Sequence, residues 1–421
     1  MLDIKLIREN PEKVKEGIKK KGFDEKLVDE ILKVDEERRK KIKEVEELRA
    51  KRNKISKIVG KEKDRKKRKL LLKESKEISE KIEKLEKELK EKEEIFERLM
   101  AKLPNIPFED VPVGKDETQN VVLREVGEKP KFDFVPKDHL EIGEKLDLID
   151  VKRAAKTSGT RFGFLKNEAV LLEFAIINFT FNTLIKEGFI PVIPPVLIRE
   201  KPFWGMGYLD RGKEEVYYIP KDNLYLVGTA EQIIGPMHMD EIFEERELPK
   251  RYLGFSSCFR REAGSYGKDT RGIFRVHQFD KIEMFSFCKP EESRKEHRFF
   301  LELEEKLMQA LKIPYRVVQI CTGDLGDPVA EKFDIEAWLP GQNRYRETHS
   351  TSNCTDFQAR RLNIRYRTKN GKLEFVHTIN GTAFAIGRTL IAILENYQQR
   401  DGSVKIPEVL QPYLPFKEIK R

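Results

Sequence analysis

The stretch from Cys258 to Phe285, CFRREAGSYGKDTRGIFRVHQFDKIEMF, gathers more chemistry than any other part of this 421-residue chain. An apolar run ending at Phe259 gives way to a loop, Ala263 to Gly272, rich in Gly, Ser and charge. The alternation of Ile273, Arg275, His277 and Phe279, continued by Lys281 and Glu283, predicts a returning strand. Such a hairpin puts Arg260, Glu262, Arg275, Phe279 and Glu283 on one face. Guanidinium groups are planar and permanently charged, so the two arginines suit phosphate oxygens taken two at a time. Phe279 offers a flat surface to a base, and the carboxylates can orient the arginines or fix an ammonium. The competing reading is an ordinary hairpin with a solvated charged face, and the whole combination weighs against it.

Three other places carry candidate groups. In YLVGTAEQ, Thr229 and Glu231 in extended chain would point to one side and offer an acceptor pair to a small cation; a helix start capped by Thr229 is the alternative. In RYRETHSTSN, Glu347 and Ser350 are an oxygen-donor pair suited to Mg²⁺, a hard ion that keeps several waters. His349 between them reads as a structural group. Near residue 380, the polar run Asn380, Gly381, Thr382 precedes an apolar helix that carries Arg388.

These groups need a scaffold, and the chain has length for two or three domains. No uninterrupted apolar run approaches the roughly 20 residues of a membrane span, and MLDIKLIRENPEKVKEG lacks the apolar stretch of a secretory signal. Cys258, Cys288, Cys321 and Cys354 are scattered without a C-x-x-C pair, which argues against disulfides and against a cysteine-based zinc site. A reducing cytoplasm fits this best. The net charge is +9, yet the segment Arg49 to Lys69 alone holds twelve Lys and Arg against Glu62 and Asp64. That +10 accounts for the whole basic excess.

In chain order, residues 1 to 23 read as a short helical lead-in, with Asn10-Pro11 opening a helix. From about Asp24 two long helices follow, with apolar heptads through Leu27, Ile31, Val34, Val45, Leu48, Ile55 and Val59, then Leu71, Ile78, Ile82, Leu85, Leu89, Phe96 and Leu99. Gly60 marks the reversal between them. The pattern predicts an antiparallel coiled coil over about 24–100 that projects roughly 50 Å, with the basic segment 49–69 at its tip. A basic tip with no core to build suits phosphates recognised by charge and shape. A solvated face or an acidic membrane surface is the alternative, the latter disfavoured by the lack of interfacial Trp or Phe. Pro104, Pro107 and Pro112 open a linker, 104–115, and a mixed catalytic domain is expected over 116–421. Within it, Ala169 to Glu187 reads as an apolar helix with Phe174, Ile177, Phe181 and Leu184 on one side. GFIPVIPPVLI then reads as a proline-rich edge strand.

FRREAGSYGKDTRGIFRVHQFDKIEMF resembles motif 2 of the class II aminoacyl-tRNA synthetases, closely that of the seryl-tRNA synthetases, and the resemblance covers essentially the whole chain. The helix and proline strand resemble motif 1, with its proline at Pro195, and the 377–398 segment resembles motif 3. The resemblance implies an α+β catalytic domain, an antiparallel sheet flanked by helices, with the coiled-coil arm at its N-terminal side. It implies activation of L-serine by ATP and transfer to tRNA(Ser), with tRNA(Sec) as an optional second acceptor, by a homodimer joined through motif 1. ATP would meet Arg260, Glu262, Arg275, Val276, Phe279, Glu347, Ser350 and Arg388, with Mg²⁺ on Glu347 and Ser350. Arg260, Arg275 and Arg388 would be the catalytic groups. Serine would meet Thr229, Glu231, Arg260, Glu283, Asn380 and Thr382, a polar pocket that rejects alanine by leaving its groups unpaired. The tRNA would lie along Arg49, Arg52, Lys54, Lys57, Arg65, Lys66, Lys67, Arg68 and Lys69. Arg261 departs from the small residue common in the family; in extended chain it points away from Arg260. A carrier-protein-loading ligase on the same fold, or a non-catalytic RNA-binding relative, are the other readings. The basic arm argues against the first, and the intact set Arg260, Arg275, Glu283, Glu347 and Arg388 against the second.

Overall fold

The computed structural model describes residues 1–210, 212–263, 269 and 271–421. The chain divides into two compact units, Leu2–Pro104 and Asn105–Arg421 with Met1.

The smaller unit is helical: α1 (Ile4–Glu9), α2 (Pro11–Lys20), α3 (Lys26–Val59) and α4 (Arg65–Lys102). Pro11 sits in the first turn of α2, where its missing N–H costs nothing. Asp64 starts α4 by accepting from the backbone N–H groups of Lys66 and Lys67 at 2.8 and 3.3 Å. α3 and α4 pair antiparallel around Val45, Ile55, Ile78 and Ile82, with Leu48, Val59, Leu71 and Leu85 half-buried beside them. The charged residues that interrupt the heptads find partners across the seam: Lys92 pairs with Glu37 at 2.5 Å, Lys41 with Glu88, and Arg38 lies over the Phe96 ring. Buried Asp35 takes both Arg8 Nε and Arg8 Nη2 at 2.7 Å, which ties α1 to α3.

The larger unit is built on an eight-stranded sheet. Its strands in chain order are β1 (Val121–Val126), β2 (Ile190–Val192), β3 (Lys250–Phe259), β4 (Gln278–Cys288), β5 (Tyr315–Gln319), β6 (Glu331–Leu339), β7 (Arg344–Asn353) and β8 (His377–Ala385). They lie in the order β1-β5-β6-β7-β8-β4-β3-β2, antiparallel throughout except for β2 against β3. Three helices, α5 (Glu168–Leu184), α6 (Ser293–Ala310) and α7 (Ile386–Asn396), bury their apolar sides in one core with residues of the sheet. Alternation divides β4 between two environments: Ile282 and Met284 enter that core, while Phe279, Lys281 and Glu283 line a cavity.

The structure departs from the sequence reading at the hairpin and adds detail in three other places. The returning strand of the hairpin begins at Gln278, not Ile273. Residues 273–277 are pinned instead to other loops: the Ile273 N–H donates to His139 Nε2 at 3.3 Å, and the His277 N–H to the Arg161 carbonyl at 3.0 Å. Gly272, at φ +74°, leaves room for that histidine, because a Cβ would stand 2.1 Å from His139 Nε2. Of the loop between the strands, residues 264–268 and 270 lie outside the described residues. Second, residues 105–115 belong to the larger unit: Asn105 Nδ2 donates to the carbonyls of Pro328 and Cys354, each at 2.9 Å. Third, α5 buries Leu172, Ala175, Ile176 and Phe179 and turns Phe174 outward, 58% exposed. That helix with its last turn, Glu168–Glu187, is long and apolar enough to cross a membrane by length and composition, and its inner side is part of the core. Fourth, of the two readings of YLVGTAEQ the structure has the helix start and not the extended chain: Thr229 lies in a turn entering the short helix Glu231–Ile234, where the Glu231 N–H donates to Thr229 Oγ1 at 3.4 Å.

Candidate active site

A cavity of about 550 Å³ opens beside the sheet. It collects side chains from distant parts of the chain: Thr229 and Glu231 from the turn, Arg260 and Glu262 from the end of β3, and Arg275 and Val276 from the pinned loop. Phe279, Lys281 and Glu283 come from β4, Glu347 and Ser350 from β7, Asn380 and Thr382 from β8, and Arg388 from α7. Every catalytic-domain site residue expected from sequence therefore lines this cavity. Glu347 and Ser350 stand three apart, a spacing that faces opposite sides of a regular strand. A bulge solves this, because Glu336 pairs with Glu347 and Ile335 with His349, leaving Thr348 as the extra residue. A second shift, which sets Thr382 opposite Glu283 and Phe384 opposite Ile282, absorbs Ala383 in the same way.

The arginines are held by few contacts. Arg260 Nε donates to the Gly228 carbonyl at 3.2 Å and its guanidinium lies 5.2 Å from the Phe279 ring centre. Arg275 Nη1 donates to Glu262 Oε2 at 2.9 Å. Glu262 itself sits at φ +52°, a left-handed position rare for a residue with a Cβ. Arg388 Nη1 donates to the Glu347 carbonyl at 2.9 Å, and both Arg388 and Arg346 lie against the Phe274 ring. The acidic part of the cavity is tightly bonded. Glu231 accepts from Tyr208 OH at 2.9 Å, Gln358 Nε2 at 3.1 Å and Asn380 Nδ2 at 3.2 Å. Glu283 is ion-paired with Lys281, whose ammonium also donates to Thr229 Oγ1 at 3.3 Å.

Two sequence families match this chain in complementary parts: the seryl-tRNA synthetase N-terminal domain over residues 1–107, and the class II tRNA synthetase core domain (G, H, P, S and T) over 216–397. A serine–tRNA ligase of Dictyoglomus turgidum is 51% identical over 423 residues, covering 100% of this chain and 99% of that relative. The chain belongs to the seryl-tRNA synthetase family. Its fold is that of the seryl-tRNA synthetase of Pyrococcus horikoshii, solved with ATP, at TM-score 0.94 and 47% identity over 100% of this chain and 99% of that one. The cytoplasmic serine–tRNA ligase of Naegleria fowleri, solved with AMP, follows at 0.90 and 38%, with the same coverage. The enzyme is thus a class II aminoacyl-tRNA ligase, and serine–tRNA ligation is the reaction of its family.

Within this synthetase fold, burial and charge set the protonation states of the site. Burial, reinforced by the nearby Glu283 charge, raises Glu231 to about 7 despite the donors around it. Glu347, whose side chain is about half exposed in the open cavity, loses some hydration there, but Arg388, Lys332, Arg260 and Lys281 together bring it down to about 2. Burial raises Asp334, opposite Ser350, to about 7, with Lys332 acting against that rise. His349 is buried, lowered to about 3 by desolvation, and bonded to the Thr348 hydroxyl at 2.8 Å, so it is a neutral structural group. Sequence reasoning assigned no role to Lys281, Tyr208, Gln358, Arg346 or Phe274. Lys281 shares the alternation of Phe279 and Glu283 and was open to that inference, whereas Tyr208 and Gln358 reach the site only through the tertiary fold.

Proposed function

We propose that the enzyme activates L-serine with ATP, forming seryl-adenylate and pyrophosphate, and then passes the seryl group to the 3′ end of tRNA(Ser). The supporting observation is the single cavity that unites three arginines and a flat aromatic ring with a small, polar, acidic pocket. The serine carboxylate oxygen attacks the α-phosphorus; a P–O bond forms to it as the bond to pyrophosphate breaks, and no side chain becomes covalently attached. Positioning and charge stabilisation carry such a step. Arg260 spans the carboxylate and the α-phosphate. Arg275 and Arg388 hold the outer phosphates. Phe279 stacks on the adenine, and Glu262 and Val276 meet its amino edge. Glu231 fixes the serine ammonium, while Thr229, Glu283, Asn380 and Thr382 surround its ammonium and hydroxyl.

Glu347 and Ser350 fit Mg²⁺: the bulge turns both oxygen donors into the cavity, and Glu347 stays ionised. Two protein oxygens are few, which suits an ion that keeps waters and takes phosphate oxygens. Bound there, it would neutralise phosphate charge. The exposed side chains of Lys54, Lys57 and Arg65 to Lys69 make the arm tip an RNA-phosphate surface, in a cytoplasmic enzyme. Arg49 is a weaker member of that set, because it pairs across the coil with Glu86 at 2.6 Å. The outward apolar residues Leu171, Phe174, Ile185, Ile190 and Ile193 on α5, its last turn and the β2 edge support a twofold dimer through this face. The test is amino-acid-dependent ATP–pyrophosphate exchange with serine beside threonine, alanine and cysteine. Exchange with serine alone supports the reading, and exchange with another amino acid overturns the pocket assignment.

A further inference from the structure

Lys281 is an unusual occupant for a pocket meant to take an ammonium. It is 8% exposed, stands between Phe279 and Glu283 on β4, and lines the cavity. A buried ammonium has to be paired or hydrogen-bonded. Among the described residues its ammonium meets Glu283, 1% exposed, and the Thr229 hydroxyl at 3.3 Å. Both are residues assigned above to serine. Thr229 Oγ1 accepts from Lys281 and also from the Glu231 N–H at 3.4 Å. A hydroxyl has two lone pairs and one proton, so with both lone pairs engaged Thr229 is left with a proton to give. Such a hydroxyl faces an oxygen of the substrate, not its ammonium. Glu283, in turn, is 1% exposed, and removing Lys281 would take away the ion-pair partner of a buried carboxylate.

We infer that Lys281 is a positioning residue for the amino-acid substrate: its ammonium anchors the Glu283 carboxylate and turns the Thr229 hydroxyl into a hydrogen-bond donor toward serine. This rests on the cavity being the serine site. Glu231 is then the group left to take the serine ammonium, and Glu283 accepts from the serine hydroxyl. Substrate thus meets a pocket whose donors and acceptors are already sorted, with one fixed cation built into its wall.

The experiment is ATP–pyrophosphate exchange by full-length Lys281→Gln and Lys281→Met, with KM measured separately for serine and ATP. Glutamine keeps a donor without the charge, and methionine keeps the length with neither. Serine KM should rise about tenfold in Lys281→Gln and about 100-fold in Lys281→Met, with ATP KM changed less than about twofold, as expected when charge-assisted hydrogen bonds to one substrate are lost. The preference for serine over alanine should shrink in parallel, since alanine never used the Thr229 proton or Glu283. Should Lys281→Met fail to fold, Lys281→Gln decides the matter alone. Unchanged serine KM overturns the inference, and so does an equal rise for serine and ATP, which marks a general structural role. No serine-dependent exchange by the wild-type enzyme would overturn the serine reading itself.

Discussion

Lowering the pH from 8 to 6 should weaken serine binding about tenfold through Glu231 alone. This carboxyl is buried, receives Tyr208, Gln358 and Asn380, and is raised to about 7 by burial and by Glu283. Lys281 and its other donors moderate that rise. With a pKa of about 7, roughly one molecule in eleven carries the carboxylate at pH 6 and ten in eleven at pH 8, and only the ionised form fixes an ammonium. Serine KM in the exchange assay should therefore be about tenfold higher at pH 6 than at pH 8, while ATP KM serves as the internal control. Calorimetry should show a proton released on serine binding below pH 7. Glu231→Gln should flatten the profile and hold serine KM high throughout. Stability should move the other way. A carboxyl raised from 4.5 to about 7 contributes fully below pH 4.5, and its contribution is lost as pH rises through 7. At about 1.4 kcal/mol per pH unit the loss approaches roughly 3 kcal/mol, so the ligand-free Gln variant should melt above wild type at pH 8. Serine KM flat between pH 6 and 8 in active enzyme would refute the assignment of Glu231 to the ammonium.

Arg260→Ala should lower serine-dependent exchange by about 10²–10³-fold without moving the melting temperature, because among the described residues the Arg260 side chain makes one hydrogen bond, to the Gly228 carbonyl, and one ring contact, while its backbone bonds to His277 are kept by alanine. Retained exchange would remove it from the reaction. Reversing Lys54, Lys57, Arg65 and Arg68 to Glu should weaken tRNA aminoacylation and flatten its salt dependence, with RNA-free exchange unchanged; unaltered aminoacylation would acquit the arm tip. Phe174→Asp together with Ile193→Asp should yield a monomer in sedimentation, since both side chains are largely exposed in the single chain. A persisting dimer would place the interface elsewhere.

The arm was legible because heptads act locally: which residues face the seam depends only on spacing along a helix. The sheet was harder to read. Ile273, Arg275 and His277 alternate like a strand, yet their backbone is claimed by His139 and Arg161, residues more than a hundred positions earlier. Composition does not say which flank of an apolar helix meets the sheet, so the outward turn of Phe174 and the burial of Leu172, Ala175 and Ile176 are visible only in the fold. In the site, residue types announced themselves, but mutual geometry did not. No spacing rule anticipates that Thr348 bulges so that Glu347 and Ser350 share a side, or that Tyr208 and Gln358 bond to Glu231.

The place of β8 in the sheet bears on how the molecule is made. This strand, residues 377–385, lies between β7 and β4, so it joins the half-sheet β1-β5-β6-β7 to the half-sheet β4-β3-β2. During synthesis neither half can pair with the other until some 385 residues have emerged. The helical hairpin of α3 and α4 uses near contacts and can settle long before. Asn380 and Thr382 arrive on that same joining strand, so the amino-acid pocket closes in the same event that completes the sheet. A ribosome-bound chain would thus display its basic arm tip to RNA while its catalytic unit is still two open-edged sheets, which exposes β7 and β4 to wrong partners until β8 appears.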